Sequence, residues 1–169
     1  MDDERGGEIP AFTKRRLQAQ VIKPIWEEMV AEIGEPAARR IIERAIRKAA
    51  LAEAADLAAR APGGETSMRS FVTLYDQLYE SWKAEGVLEV EILRADDEHF
   101  DFDVTHCGYV QMYRDAGLGD IAPLLSCNRD GVFCQGYDAR IQLVREQTIM
   151  GGAPRCTFRY RYRRAGDAG

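Results

Sequence analysis

The sequence predicts an α+β fold in which N-terminal helices pack on a four-stranded, mainly antiparallel sheet, with short helices between strands two and three. Two observations carry this expectation. Apolar residues recur at helical spacing up to about residue 86 and then alternate one by one with charged residues, and the segments are punctuated by glycine and proline where such elements end. A chain of 169 residues is long enough for one well-filled core and short for two, so a single domain is expected over 1–169, with a helical part (1–86) and a sheet-containing part (87–164).

The first helix is read from Leu17, Val21, Ile25 and Met29, flanked by Trp26, Val30 and Ile33 and stopped by Gly34. Pro24 lies inside that pattern and removes a backbone donor, which predicts a kink or a fresh start there. Pro36 opens a second, alanine-rich helix carrying Ile42, Ile46, Ala49 and Leu57, ended by Pro62-Gly63-Gly64. Thr66 or Ser67 caps a third, with Phe71, Leu74, Leu78 and Trp82 on one stripe. Beyond Gly86 the period becomes two. Leu88, Val90 and Ile92 alternate with Glu89 and Glu91, and Phe100, Phe102 and Val104 with Asp101 and Asp103, giving two strands joined around Asp96-Asp97. Short helices over 109–116 and 121–125 precede a third strand near 141–145 and a fourth over 156–162. Acidic residues on the early strands and Arg159, Arg161 and Arg163 on the last predict a solvated face of cross-strand ion pairs.

Composition excludes several classes. A net charge of -5 with scattered basic residues leaves no polycation for a nucleic-acid backbone. No apolar run approaches the roughly 20 residues that span a bilayer, and Met1 to Gly7 lack the apolar segment of a secretory signal, so no membrane partner and a cytoplasmic location are expected. The 4 cysteines, Cys107, Cys127, Cys134 and Cys156, match neither a disulfide framework nor paired zinc knuckles and are read as thiols. No metal and no cofactor are expected.

Following each strand's phase to its end exposes polar groups in the inward rows. Phe100, Phe102 and Val104 lead to His106, Ile141 and Leu143 lead to Arg145, and the last strand begins with Cys156. A charge at a core phase needs a partner or a cavity, unless Arg145 lies past the buried part of the strand and reaches solvent. Cys127 lies in Ser126-Cys127-Asn128-Arg129-Asp130. A helix starting there would favour a thiolate through its free amides and put Asp130 on the same face as base or orienting group. The alternatives are a core thiol and a capping carboxylate, and for His106 a satisfied core histidine.

Phe102-Asp103-Val104-Thr105-His106-Cys107-Gly108-Tyr109, then Leu125 to Asp130, then Arg145 to Gly152 and Cys156 to Tyr160 together resemble the L-2-amino-thiazoline-4-carboxylic acid hydrolase family. The resemblance spans roughly 100–162. The chain departs from the family pattern at His106, where arginine is usual, at Glu146-Gln147 within the Arg145–Thr148 motif, and at Thr157. The resemblance implies hydrolytic opening of a cyclic amidine bearing a carboxylate, to an N-carbamoyl-cysteine type of product. In that reading the candidate catalytic residues are Cys127 as nucleophile, Asp130 as base or orienter, or alternatively as activator of water, and His106 as proton shuttle. The candidate substrate-binding residues are Arg145 as carboxylate clamp with Thr148, Cys107, Asn128 and Cys156.

The expected activity is therefore hydrolysis of a C–N or related bond in a small, cyclic, carboxylate-bearing substrate. The rival is a non-catalytic module holding a small acidic metabolite. The apolar surface of the first three helices also predicts a homo-oligomer.

Overall fold

The structure is a computed structural model describing residues 9–164. Helices α1 (Ala11–Ile33) and α2 (Glu35–Ala58) are joined by Gly34 alone. The φ of 79° at Gly34 is one that a side chain would make costly. Pro24 does not interrupt α1, which stays one 23-residue helix. The buried face of α1 is also not the one that spacing suggested. Leu17, Val21 and Ile25 remain 46%, 62% and 49% exposed, while Ala19 is buried and Phe12, Ile22, Trp26 and Met29 pack inward. The covered side carries Ala19, a small residue within the second apolar cluster, where a short side chain lets the neighbouring elements approach.

Helix α2 packs through its alanines: Ala38, Ala50 and Ala54 are fully buried. Helix α3 (Met68–Ala84) starts at Ser67, whose hydroxyl accepts from the Ser70 amide while the Ser70 hydroxyl accepts from the Ser67 amide. None of the described helices is long and apolar enough to cross a membrane.

The strands are β1 (Leu88–Ala95), β2 (His99–Cys107), β3 (Ile141–Val144) and β4 (Cys156–Tyr162), in the order β1-β2-β4-β3 with every pair antiparallel. Asp96 closes the β1–β2 turn by accepting from the amides of Glu98 and His99 at 2.9 and 2.8 Å. Between β2 and β3 lie α4 (Gly108–Asp115), α5 (Ala122–Leu125) and α6 (Cys127–Tyr137). The helices and the antiparallel sheet form the α+β architecture read from the pattern. On the outer face Arg155 and Arg159 clasp Asp103 at 2.9 and 2.8 Å, and Arg161 pairs with Asp101.

The inward row of β2 breaks at its end. Val90 faces Val104, but Glu89 faces His106 and Leu88 faces Cys107, so Thr105 has no partner in β1 and the strand bulges. One extra residue reverses the phase. Cys107 turns inward beside Leu88, against both apolar clusters, and His106 is exposed. The inward placement of His106 expected from strict alternation is thereby corrected.

Candidate functional site

A cavity of about 210 Å³ lies between the helices and the inner face of the sheet. Its walls are aromatic: Tyr75 and Trp82 from α3, Phe100 and Phe102 from β2, Phe158 from β4 and Tyr109 from α4. The walls are fixed by their own polar atoms. The Trp82 Nε1–H donates to the Tyr109 hydroxyl at 3.1 Å, and the Tyr75 and Tyr160 hydroxyls are 2.8 Å apart. Burial pushes all three phenols upward, so they stay neutral hydrogen-bonding groups.

The polar end of the cavity is built by the start of α6 and the residue after β3. Arg145 Nη1 donates to Asp130 Oδ2 in a close ion pair, and Nη2 donates to the Cys127 carbonyl at 2.7 Å. The guanidinium also lies 5.1 Å from the centre of the Phe158 ring. Of the outcomes open to an arginine at this phase, the structure shows a carboxylate partner, Asp130, at the wall of a cavity. Burial raises the pKa of Asp130 and Arg145 opposes the shift without cancelling it. Burial alone would lower the pKa of Arg145, but Asp130 raises it and keeps it charged. Asp130 is enclosed by protein yet keeps 31% of its side-chain surface accessible, because that surface faces the cavity.

Cys127 is the first residue of α6 and lines the same end, but its environment does not make a thiolate. Burial and the Asp130 carboxylate raise its pKa to about 12, against a smaller opposing effect of Arg145. Its Sγ lies 3.7 Å from Met150 Sδ. The residue three places on, expected to activate the thiol, instead opposes its ionisation. Cys107, pushed up to about 11 by burial, and Cys156, also raised by burial, line the cavity as neutral thiols.

Three expected site residues lie elsewhere. His106 is exposed opposite Glu89. Thr148 caps a short 3-10 turn, accepting from the Gly151 amide at 3.0 Å. Asn128 points to α2, where it meets Arg47 and the Glu43 carbonyl. In their place the cavity is lined by Arg15, Glu53 and Arg129. Glu53 on α2 binds Arg15 of α1 at 2.7 Å, Lys14 at 2.7 Å and Arg129 of α6 in a close pair. Nothing in the sequence signals this cluster, since its members come from three helices whose relative rotation periodicity does not fix. Among the described residues, no group of three or more His, Cys, Asp or Glu side chains is arranged to hold a metal ion.

The sequence over residues 14–160 matches the family described as L-2-amino-thiazoline-4-carboxylic acid hydrolase. The chain belongs to this family. No curated protein matches it significantly. Among solved structures, this hydrolase-family chain is similar to the phenol-responsive sensory domain of the transcription activator PoxR, determined with phenol. The TM-score is 0.51 at 15% identity over 85% of this chain and 74% of that one, a likeness of fold alone.

Proposed function

We propose that the cavity receives a small ring-bearing carboxylate and that Asp130 directs a water to open its ring. The observation that carries this reading is a carboxylate of raised proton affinity facing the polar end of an aromatic-walled cavity, in a member of this hydrolase family. The ring stacks on the aromatic walls. Asp130 takes a proton from water, the water oxygen bonds to the amidine carbon, and a ring bond to that carbon breaks as the proton passes to the departing atom. For a thiazoline giving an N-carbamoyl product, the bond that breaks is carbon–sulfur and the departing atom is sulfur; in a hydantoin-type ring it is nitrogen. Cys127, about 12 in pKa, is pocket lining in this scheme and not a nucleophile.

The test is release of new thiol from 2-amino-2-thiazoline-4-carboxylate, followed by product mass. Thiol release that disappears in Asp130→Asn is expected. A wild-type protein that binds the compound and never opens it would defeat the hydrolytic reading.

A second reading, binding without turnover, is favoured by one observation. Asp130 is already engaged by Arg145, and most of the wall is apolar and aromatic, which suits retention of a ring better than chemistry on it. The fold's likeness to a phenol-responsive sensory domain agrees with this alternative. Self-association of the chain is also proposed, through the exposed stripe Leu17, Val21 and Ile25 of α1, and sedimentation showing only monomer would count against it.

A further inference from the structure

We infer that Arg15 and Arg129 form the anion subsite of this cavity, and that it takes the carboxylate of a monoanionic ring compound. The inference rests on the cavity being a ligand site, as proposed above, and assigns the carboxylate to a pair of arginines on α1 and α6 instead of to Arg145.

The first argument is occupancy. Arg145 donates through Nη1 to Asp130 and through Nη2 to the Cys127 carbonyl, so a ligand carboxylate on it would share the guanidinium with Asp130. Arg15 donates Nη1 to Gln18 at 2.9 Å and Nη2 to Glu53 Oε2, and Arg129 donates Nη2 to that same oxygen. Each guanidinium carries five N–H donors, so two of them converging on one carboxylate oxygen keep donors for a second carboxylate.

The second argument is charge. The enclosed charged groups of the cavity are Arg15, Arg129 and Arg145 against Glu53 and Asp130. The side chains of Arg15 and Arg129 are only 16% and 10% accessible, and those of Arg145, Glu53 and Asp130 are 16%, 26% and 31%. Three cations face two anions in a half-enclosed region, where screening is weaker than at the open surface. Lys14 adds a further positive charge on Glu53 but is 45% accessible and solvated, and Asp76 lies exposed on the rim. A single added negative charge balances the enclosed set. The repulsion is felt locally: burial and then the neighbouring Arg15 charge lower the pKa of Arg129. Trp82 and Tyr109 line the same cavity, so a carboxylate held at this corner leaves its ring among aromatic side chains.

Benzoate and its neutral isostere benzamide separate charge from shape, and Trp82 in the wall provides a fluorescence signal for both. Benzoate should bind wild-type protein at least ~10-fold more tightly than benzamide, as charge-assisted hydrogen bonds warrant. In Arg15→Gln that preference should fall to about parity, with benzamide affinity unchanged, and Arg15→Lys should restore part of it. Arg129→Gln provides an independent copy of the test should the α1 variant fold poorly. Binding of both probes with no preference in wild type, or a preference that survives both glutamine variants, would overturn the anion subsite while leaving the cavity intact as a ligand site. Failure of both probes to bind folded wild-type protein would remove the ligand-site reading itself, and the subsite with it.

Discussion

A thiol at the first residue of a helix is an easy nucleophile to nominate, and Cys127 gives that idea a sharp test. With a pKa of about 12, and a competing thiol near 8.5 in free solution, the thiolate fraction of Cys127 at pH 7.5 is smaller by a factor on the order of 10³. Alkylation by iodoacetamide should therefore run about a thousandfold slower than for glutathione, read by peptide mass spectrometry over a time course. The pH dependence separates electrostatics from simple obstruction. A raised pKa makes the rate climb tenfold per pH unit through pH 10 without a plateau, whereas a blocked but ionised thiol gives a low rate that levels off near pH 8. Cys107, at about 11, should show the same rise one unit earlier on the scale. A Cys127 rate within tenfold of glutathione at pH 7.5, or a plateau below pH 8, would refute the assignment of burial and Asp130 as the dominant influences and return Cys127 to the list of nucleophiles.

Glu53 should make the protein acid-sensitive. Burial would raise its pKa, but Arg15, Lys14 and Arg129 outweigh it and hold it at about 2, below the ordinary 4.5. A depressed carboxyl stabilises fully above its unfolded value and loses that contribution as pH falls from about 4.5 towards 2. The loss by pH 3 is roughly 2 kcal/mol. Urea midpoints of wild type and Glu53→Gln, measured at pH 5 and pH 3, should differ in slope by that amount, and parallel pH responses would contradict it. Gly136→Ala should destabilise by about 1–2 kcal/mol, overpacking outweighing the helix propensity of alanine. A Cβ there would lie 3.0 Å from the Leu51 carbonyl oxygen and 3.1 Å from Leu51 Cα, so α2 and α6 would have to separate. A thermal midpoint equal to wild type would show that these two helices do not rest on each other's backbone.

Most of the architecture was legible because period and punctuation act locally. Phe100, Phe102, Val104, Phe158 and Tyr160 face inward as alternation requires, and Ser67 caps α3 because its side chain serves the amide three residues on. The site was legible where a local rule implied a long-range need: Arg145 at a core phase left open a carboxylate partner, a cavity or a reach to solvent, and the structure has Asp130 as its partner at the cavity wall. The losses have definite causes. A bulge at Thr105 reversed the phase of two residues, taking His106 out and bringing Cys107 in, and alternation has no marker for such an insertion. The rotation of α1 is a matter of tertiary packing that spacing does not encode: the covered face carries Ala19, and three large apolar residues at helical spacing stay exposed. Arg15, Glu53 and Arg129 meet only through packing of three helices, and each alone reads as a surface charge.

These misplacements bear on the two functional readings. An enzyme of this kind needs a base that can reach water and a cation that can hold the substrate without disabling the base. A single Asp130–Arg145 pair serves those demands poorly, because a carboxylate drawn to Arg145 would compete with Asp130 for the same guanidinium and arrive beside a like charge. Assigning the substrate anion to Arg15 and Arg129, which share Glu53 as their common carboxylate, leaves the Asp130–Arg145 pair undisturbed. Arg145 then orients Asp130 through Oδ2, and the accessible remainder of that side chain is left to the cavity. A pure binding module needs no such division of labour, since one buried cation would satisfy one carboxylate. On the proposed reading, the two arginine groups divide the work at one aromatic cavity, Arg15 and Arg129 for the ligand anion and Arg145 for Asp130. Loss of ring opening in Asp130→Asn with ligand binding retained is the result that separates an enzyme from a binding module.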